Sequence, residues 1–245
     1  MDALLFEQAC EKTINNNIEP STIGTLSEKT IHSVLKNYYS PDISNQEIRV
    51  DNYIADIMKG DHIIEIQTGN FNKLRKKLEV YLVNYKVTIV YPVSRTKLIH
   101  WINPDTGEIH KPRKSTKTGS YYEIFKELYK IKPFLLNENI SFNILLLNVD
   151  EYRYLDGWSK DKKKGASKCD KIPTKLVEDI AINSIIDYGN LIPDGLNKEF
   201  TSRHFAKAAK IPIKLSQITL NILFFVGAVI RSDKDGNSYL YQRNF

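Results

Sequence analysis

Cysteine is nearly absent. The chain holds two, Cys10 and Cys169, far apart and without metal-ligand spacing. That excludes a disulfide-built fold and gives no sign of a zinc centre. Long hydrophobic runs are lacking as well. The longest, ILFFVGAVI at 222–230, is too short to span a bilayer. The opening MDALLFEQACEK places acids where a secretory leader carries positive charge. These features predict a cytoplasmic protein that does not cross a membrane, and no internal repeat is visible. Acidic charge is in deficit, with 29 Asp and Glu against 35 Lys and Arg, a net +6. Such a surplus attracts polyanions, nucleic acid among them. At 42% hydrophobic and 26% charged residues the composition is globular rather than disordered. The length of 245 residues suits one large domain or two small ones.

The spacing of apolar residues predicts a short helix over 2–14 and a second closing near Tyr39, before Ser40-Pro41. Thr25-Leu26-Ser27-Glu28 has the form of a capping box for the second helix, whose stripe is Ile31, Val34, Leu35 and Tyr38. Three strand-like pieces follow, 47–50, 53–58 and 62–67, joined at Asp51-Asn52 and Gly60-Asp61. A helix is expected over 71–85, with Phe71, Leu74, Leu78 and Leu82 on one side. Lys73, Arg75, Lys76 and Lys77 occupy much of the rest. KVTIVYPV (86–93) reads as a buried strand, parallel to 62–67 because a helix connects them. A hairpin of 96–102 with 107–111, a helix over 120–131 and a strand over 141–152 complete this part. DGWSKDKKKGASKCDKIPTK (156–175) holds seven lysines and predicts a boundary. The expected organisation is a domain over 1–155, a basic linker over 156–172 and a smaller domain over 173–245. The last has helices at 173–187, 200–210 and 215–227 and a closing hairpin.

The stretch DIMKGDHIIEIQ (56–67) carries the chemistry. With Gly60 and Asp61 as the two bend residues, Lys59 faces His62 and Asp56 falls opposite Glu65. Gln67 shares the face of Glu65, while Tyr53, Ala55, Ile57, Ile64 and Ile66 form an apolar face. Facing carboxylates repel. The repulsion is relieved by protonation, by an intervening base or by a bridging divalent cation, and two carboxylates with waters suit Mg2+. A solvated pair of acids is the alternative.

The order of these elements resembles the PD-(D/E)XK nuclease superfamily over about residues 25–93, which implies an α/β fold with a restriction endonuclease-like αβββαβ core. The resemblance implies that Asp56, Glu65 and Ile66 hold Mg2+ or Mn2+, and that Glu28, Asp56, Glu65 and Gln67 form the catalytic set. Glu28 serves equally as the last member of its capping box. Ala55 stands where the superfamily often has proline, and Gln67 stands where it has lysine. Gln67 can orient a water but brings no positive charge. Lys73 either lends that charge from the next helix or belongs to a solvated basic face. Asn70 is a helix cap or a polar neighbour of the site.

Residues 200–242 have the layout of a winged helix, with a second helix expected to bury Ile218, Ile222 and Phe225. Lys214, Ser216 and Gln217 on that helix, Arg231 and Lys234 on the wing, and Arg203 on the helix before it are the nucleic-acid candidates. Lys73, Lys76, Lys162, Lys163 and Lys164 join them as backbone contacts. The resulting expectation is a metal-dependent endonuclease acting on DNA, duplex or branched, as a possible homodimer. The competing expectations are a nuclease-like DNA-binding or regulatory protein that does not cut, and a protein-interaction module.

Overall fold

The computed structural model of the chain describes residues 2–15, 30–157 and 167–245. In chain order the elements are α1 (Ala3–Asn15), α2 (Thr30–Tyr39), β1 (Gln46–Val50), β2 (Tyr53–Lys59), β3 (His62–Ile66), α3 (Arg75–Asn84), β4 (Lys86–Ile102), β5 (Arg113–Lys114) and α4 (Ile124–Leu128). They continue as β6 (Ile140–Tyr154), β7 (Lys168–Ile182), α5 (Ile185–Asn190), α6 (Ser202–Ala209), α7 (Ile213–Phe225), β8 (Val229–Asp235) and β9 (Ser238–Arg243). The class is mixed α/β. One sheet has the strand order β1-β2-β3-β4-β6-β7 with β5 on β4, and β8 pairs with β9 in a second, smaller sheet.

The tight connections follow the turn residues. Val50 pairs with Tyr53 across Asp51-Asn52 in an antiparallel ladder, and Asp51 takes φ 52°. Gly60 takes φ 60° at the bend between β2 and β3, the conformation that glycine adopts without steric cost. β3 and β4 run parallel, with Glu65 beside Ile89 and α3 as the crossover between them.

Several expectations are corrected. Residues 173–187 do not form a helix: they continue β7 to Ile182, and α5 begins only at Ile185. Ile172, Thr174, Val177, Ile180 and Ile182 favour a strand, and Pro173 costs nothing in the ladder because β7 lies at the sheet edge. Residues 86–102 form one strand rather than two, and Pro92 sits within it. The hairpin of 96–102 with 107–111 is present but short: Ile102 bridges Ile109, the Asn103 N–H donates to the Glu108 carbonyl at 2.9 Å and the His110 N–H to the Trp101 carbonyl at 2.8 Å, and β5 continues the pairing at Leu98 and Ile99. The helix expected over 120–131 is α for 124–128 only, with 3-10 turns on both sides. β3 is covered on both faces, with Ile63, Ile64, Glu65 and Ile66 all buried, instead of apolar on one face alone.

The chain divides into two compact units. The first comprises Met1–Lys59, Pro92–Ser120 and Leu145–Asp179, and the second Gly60–Tyr91, Tyr121–Ile144 and Ile180–Phe245. In the first, Phe6 of α1 meets Tyr38 of α2 edge-on at 5.5 Å, and Val34, Leu35, Ala55 and Ile57 are fully enclosed. The basic run from 156 onward leads from β6 into β7 within this unit. In the second, Phe71, Leu78, Tyr81, Phe125, Phe142 and Phe205 make the core, and the Tyr122 hydroxyl donates to the Leu191 carbonyl at 2.6 Å. Each such side chain contributes about 1.5–3 kcal/mol by leaving water.

Gly119 is a close-packing point of the first unit. A Cβ there would lie 2.3 Å from the Ser94 carbonyl oxygen and 2.9 Å from Val93 Cγ1. Backbone cannot yield as a flexible side chain does, so Gly119→Ala is expected to cost about 1–3 kcal/mol. A urea titration of the variant checks this, and an unchanged midpoint would contradict it.

No helix among the described residues is long and apolar enough to cross a membrane.

Candidate functional site

β3 is buried on both faces, and within it Glu65 is the acid, 2% exposed. A carboxylate in that position needs a partner, since an isolated buried charge costs several kcal/mol. The partner comes from α3. Leu74, Leu78 and Tyr81 of the following segment are buried, and a residue three after Leu74 and four before Tyr81 shares their face. That residue is Lys77. Its Nζ lies 3.0 Å from Glu65 Oε1 and 2.9 Å from Oε2. The Lys77 side chain is 23% exposed and that of Glu65 3%. Lys77 was assigned in the sequence to the solvated side of the helix, and the structure corrects this. Lys73 and Lys76 do lie on the exposed side.

In the first unit, Asp56 sits on β2 between the fully buried Ala55 and Ile57, so its side chain points to the opposite face from theirs. His32 of α2 approaches it, Nε2 to Oδ2 at 3.2 Å. The helical stripe in the sequence passed over His32, because it stands beside Ile31 at the edge of the apolar positions.

Gln67 follows β3. Its backbone N–H donates to the Val90 carbonyl at 2.9 Å, and its side-chain amide donates to the Gly69 carbonyl. The amide is therefore engaged in the local turn. Ile66 is buried beside it. Asn70 takes φ 57° and makes no side-chain cap. The cap comes from far along the chain, where Glu127 Oε2 accepts from the Phe71 N–H at 2.8 Å. Removing that acceptor leaves the first turn short of a partner, so Glu127→Ala is expected to cost about 1 kcal/mol. The shift of a chemical-denaturation midpoint measures it, and no shift would mean that the contact stabilises nothing.

The C-terminal candidates separate. Arg203, Lys214, Gln217 and Lys234 are exposed. Ser216 is fully buried and its hydroxyl donates to the Ser202 carbonyl at 2.7 Å, so it joins α7 to α6 and is not a surface contact. α7 buries Leu215, Thr219, Leu220, Ile222 and Leu223, while Ile218 and Phe225 are only half-buried. Arg231 lies over the Phe224 and Tyr239 rings at 4.3 and 3.9 Å, which fixes its guanidinium against aromatic faces. His204 completes a capping box with Thr201. Glu28, Lys162, Lys163 and Lys164 lie outside the described residues.

Among the described residues, no group of three or more His, Cys, Asp and Glu is arranged to hold a metal ion. A hard cation such as Mg2+ requires less, since one or two carboxylates with waters suffice. A carboxylate carries about four lone-pair sites, so an ammonium on Glu65 does not conflict with an ion on the same group. Asp56 and Glu65 each offer the carboxylate oxygens that Mg2+ or Mn2+ takes.

A family model described as Domain of unknown function (DUF8091) matches residues 29–183. An uncharacterized protein of Treponema pallidum (strain Nichols) is 33% identical over 181 residues, which cover 72% of this chain and 69% of that protein. No solved structure matches significantly.

Proposed function

The chain belongs to the DUF8091 family, and we propose that it is a metal-dependent endonuclease that hydrolyses phosphodiester bonds of DNA. The observation that supports this most is the Lys77 ammonium on both oxygens of Glu65. The sequence leaves the charge normally supplied after the second acid missing at Gln67, and Lys77 brings a positive charge to that acid from the helix instead. This is consistent with an αβββαβ core of the restriction endonuclease kind, running from α2 through β1, β2, β3 and α3 to β4. α6, α7 and the β8-β9 pair are the elements of a winged-helix module in the same proposal.

In this reading Asp56 and Glu65 are the two acids that would hold Mg2+ or Mn2+. The bound ion supplies a lowered water pKa and neutralises charge on the phosphodiester. Lys77 pairs with the Glu65 carboxylate and orients it, and its charge favours the oxyanion that develops on phosphorus. His32 orients Asp56. Gln67 holds the turn after β3 and keeps the strand end in register with Val90.

The same ion pair supports a second reading. Lys77 neutralises Glu65 without any metal, and the Gln67 amide is engaged with Gly69. A protein that binds DNA without cutting it would carry these features too. Incubation with supercoiled plasmid and Mg2+ or Mn2+ separates the two. Nicking that EDTA abolishes is expected. Binding without nicking at any metal concentration favours the second reading.

A further inference from the structure

We propose that one face of the sheet in the first unit is a binding surface for an unpaired nucleic-acid strand. It rests on the reading above only in the class of ligand. Of its residues only Lys171, within the lysine-rich run 156–175, lay in a segment that the sequence pointed to.

The face is built by strand alternation. Lys97, Ile99 and Trp101 point to the same side of β4, and Arg113 of β5 pairs with Ile99 and so shares that side. Glu151 and Arg153 occupy it on β6, and Lys171 on β7. Glu151 is 1% exposed and anchors the cluster. Arg153 Nε donates to Glu151 Oε1 at 2.7 Å. Oε2, which accepts no hydrogen bond, lies 3.9 Å from Lys97 Nζ and 3.8 Å from Lys171 Nζ. Burial pushes the Glu151 carboxyl up, but Lys171, Arg153 and Lys97 outweigh it and hold the group below its usual range. It holds Arg153 by a hydrogen bond and draws Lys97 and Lys171 to ion-pair distance.

Among the described residues of this face, Lys97, Arg113 and Arg153 outnumber the Glu151 carboxylate. Trp101 is half-buried, and the Arg153 guanidinium lies 5.8 Å from its ring centre. Cations set out across adjacent strands, with an indole and a guanidinium plane among them, match the two things a single strand offers. Phosphates meet the cations and bases stack on the planes. A duplex hides its base faces and gains nothing from Trp101. Pre-ordering by Glu151 lowers the side-chain entropy lost on binding.

The test uses the full chain in EDTA, so that cleavage plays no part. Anisotropy of a labelled oligothymidylate is followed across a salt titration. The wild type is expected to bind it more tightly than the same length of duplex. Arg113→Gln, on an exposed edge strand, tests the surface without disturbing the Glu151 cluster. It and Lys97→Gln are each expected to reduce the slope of log K against log salt by about 0.7. Trp101→Ala is expected to weaken binding about tenfold at constant slope. In a Trp158→Phe background, Trp101 fluorescence should be quenched by the strand. Unchanged slopes, an unquenched Trp101, or loss of binding only on Lys214→Gln would overturn the proposal. Strand binding without plasmid nicking would leave this surface standing and remove the nuclease alone; nicking without strand binding would do the reverse.

Discussion

Lys77→Met is expected to destabilise the protein by about 3 kcal/mol, because it removes the ammonium from a carboxylate that is almost entirely enclosed. The value is taken at the low end for a buried pair, since the partly exposed Lys77 head retains some water. For a chain of this size it corresponds to a drop of about 6–12 °C in Tm. The loss comes from stranding Glu65, so the double variant Lys77→Met with Glu65→Leu is expected to recover most of it. Coupling of this kind distinguishes an ion pair from independent packing losses at two positions. Calorimetry of the four proteins closes the cycle. Additive losses, or a Lys77→Met protein that melts with the wild type, would show that Lys77 does not hold Glu65.

The second large effect concerns catalysis. Glu65→Ala and Asp56→Ala are each expected to lower metal-dependent nicking by at least about 10²–10³-fold, the loss typical of removing an electrostatic contact made at the transition state. Binding of an oligothymidylate in EDTA should survive both, since neither residue belongs to the sheet face proposed to bind it. Lys77→Met should reduce nicking as well, and at a temperature well below its melting point this reports on charge rather than folding. His32→Ala is expected to act more weakly, through the orientation of Asp56. Nicking that persists in Glu65→Ala would place the reaction elsewhere.

Much of the local architecture was legible because short-range rules govern it. Asp51-Asn52 and Gly60-Asp61 announced two bends, and the helix between β3 and β4 required a parallel pair. β7 was not legible. Its apolar residues suit either period, and Pro173 reads as a helix start unless the strand is known to lie at a sheet edge. The Glu127 cap on Phe71 was invisible because its two ends are 56 positions apart.

The site divides in the same way. Glu65 stood out as an acid within an apolar run. Lys77 could have been found, since it occupies the interval between Leu74 and Leu78 on the buried stripe, yet its three neighbouring cations, Lys73, Arg75 and Lys76, made the whole face look solvated. The Gln67 amide turning back to Gly69 depends on the loop conformation after β3, and nothing in the spacing of residues specifies that. Glu151 and its three cations were missed because they come from β4, β6 and β7, and only the pairing of those strands brings them together.

Everything proposed for catalysis rests on Asp56 and Glu65 sharing a divalent ion. Isothermal titration of the protein with Mn2+ tests it directly, without substrate. The expected result is binding of about one ion per chain that Glu65→Gln and Asp56→Asn each abolish while their far-UV spectra stay native. A wild-type protein that takes up no ion, or variants that bind it as the wild type does, would contradict the account.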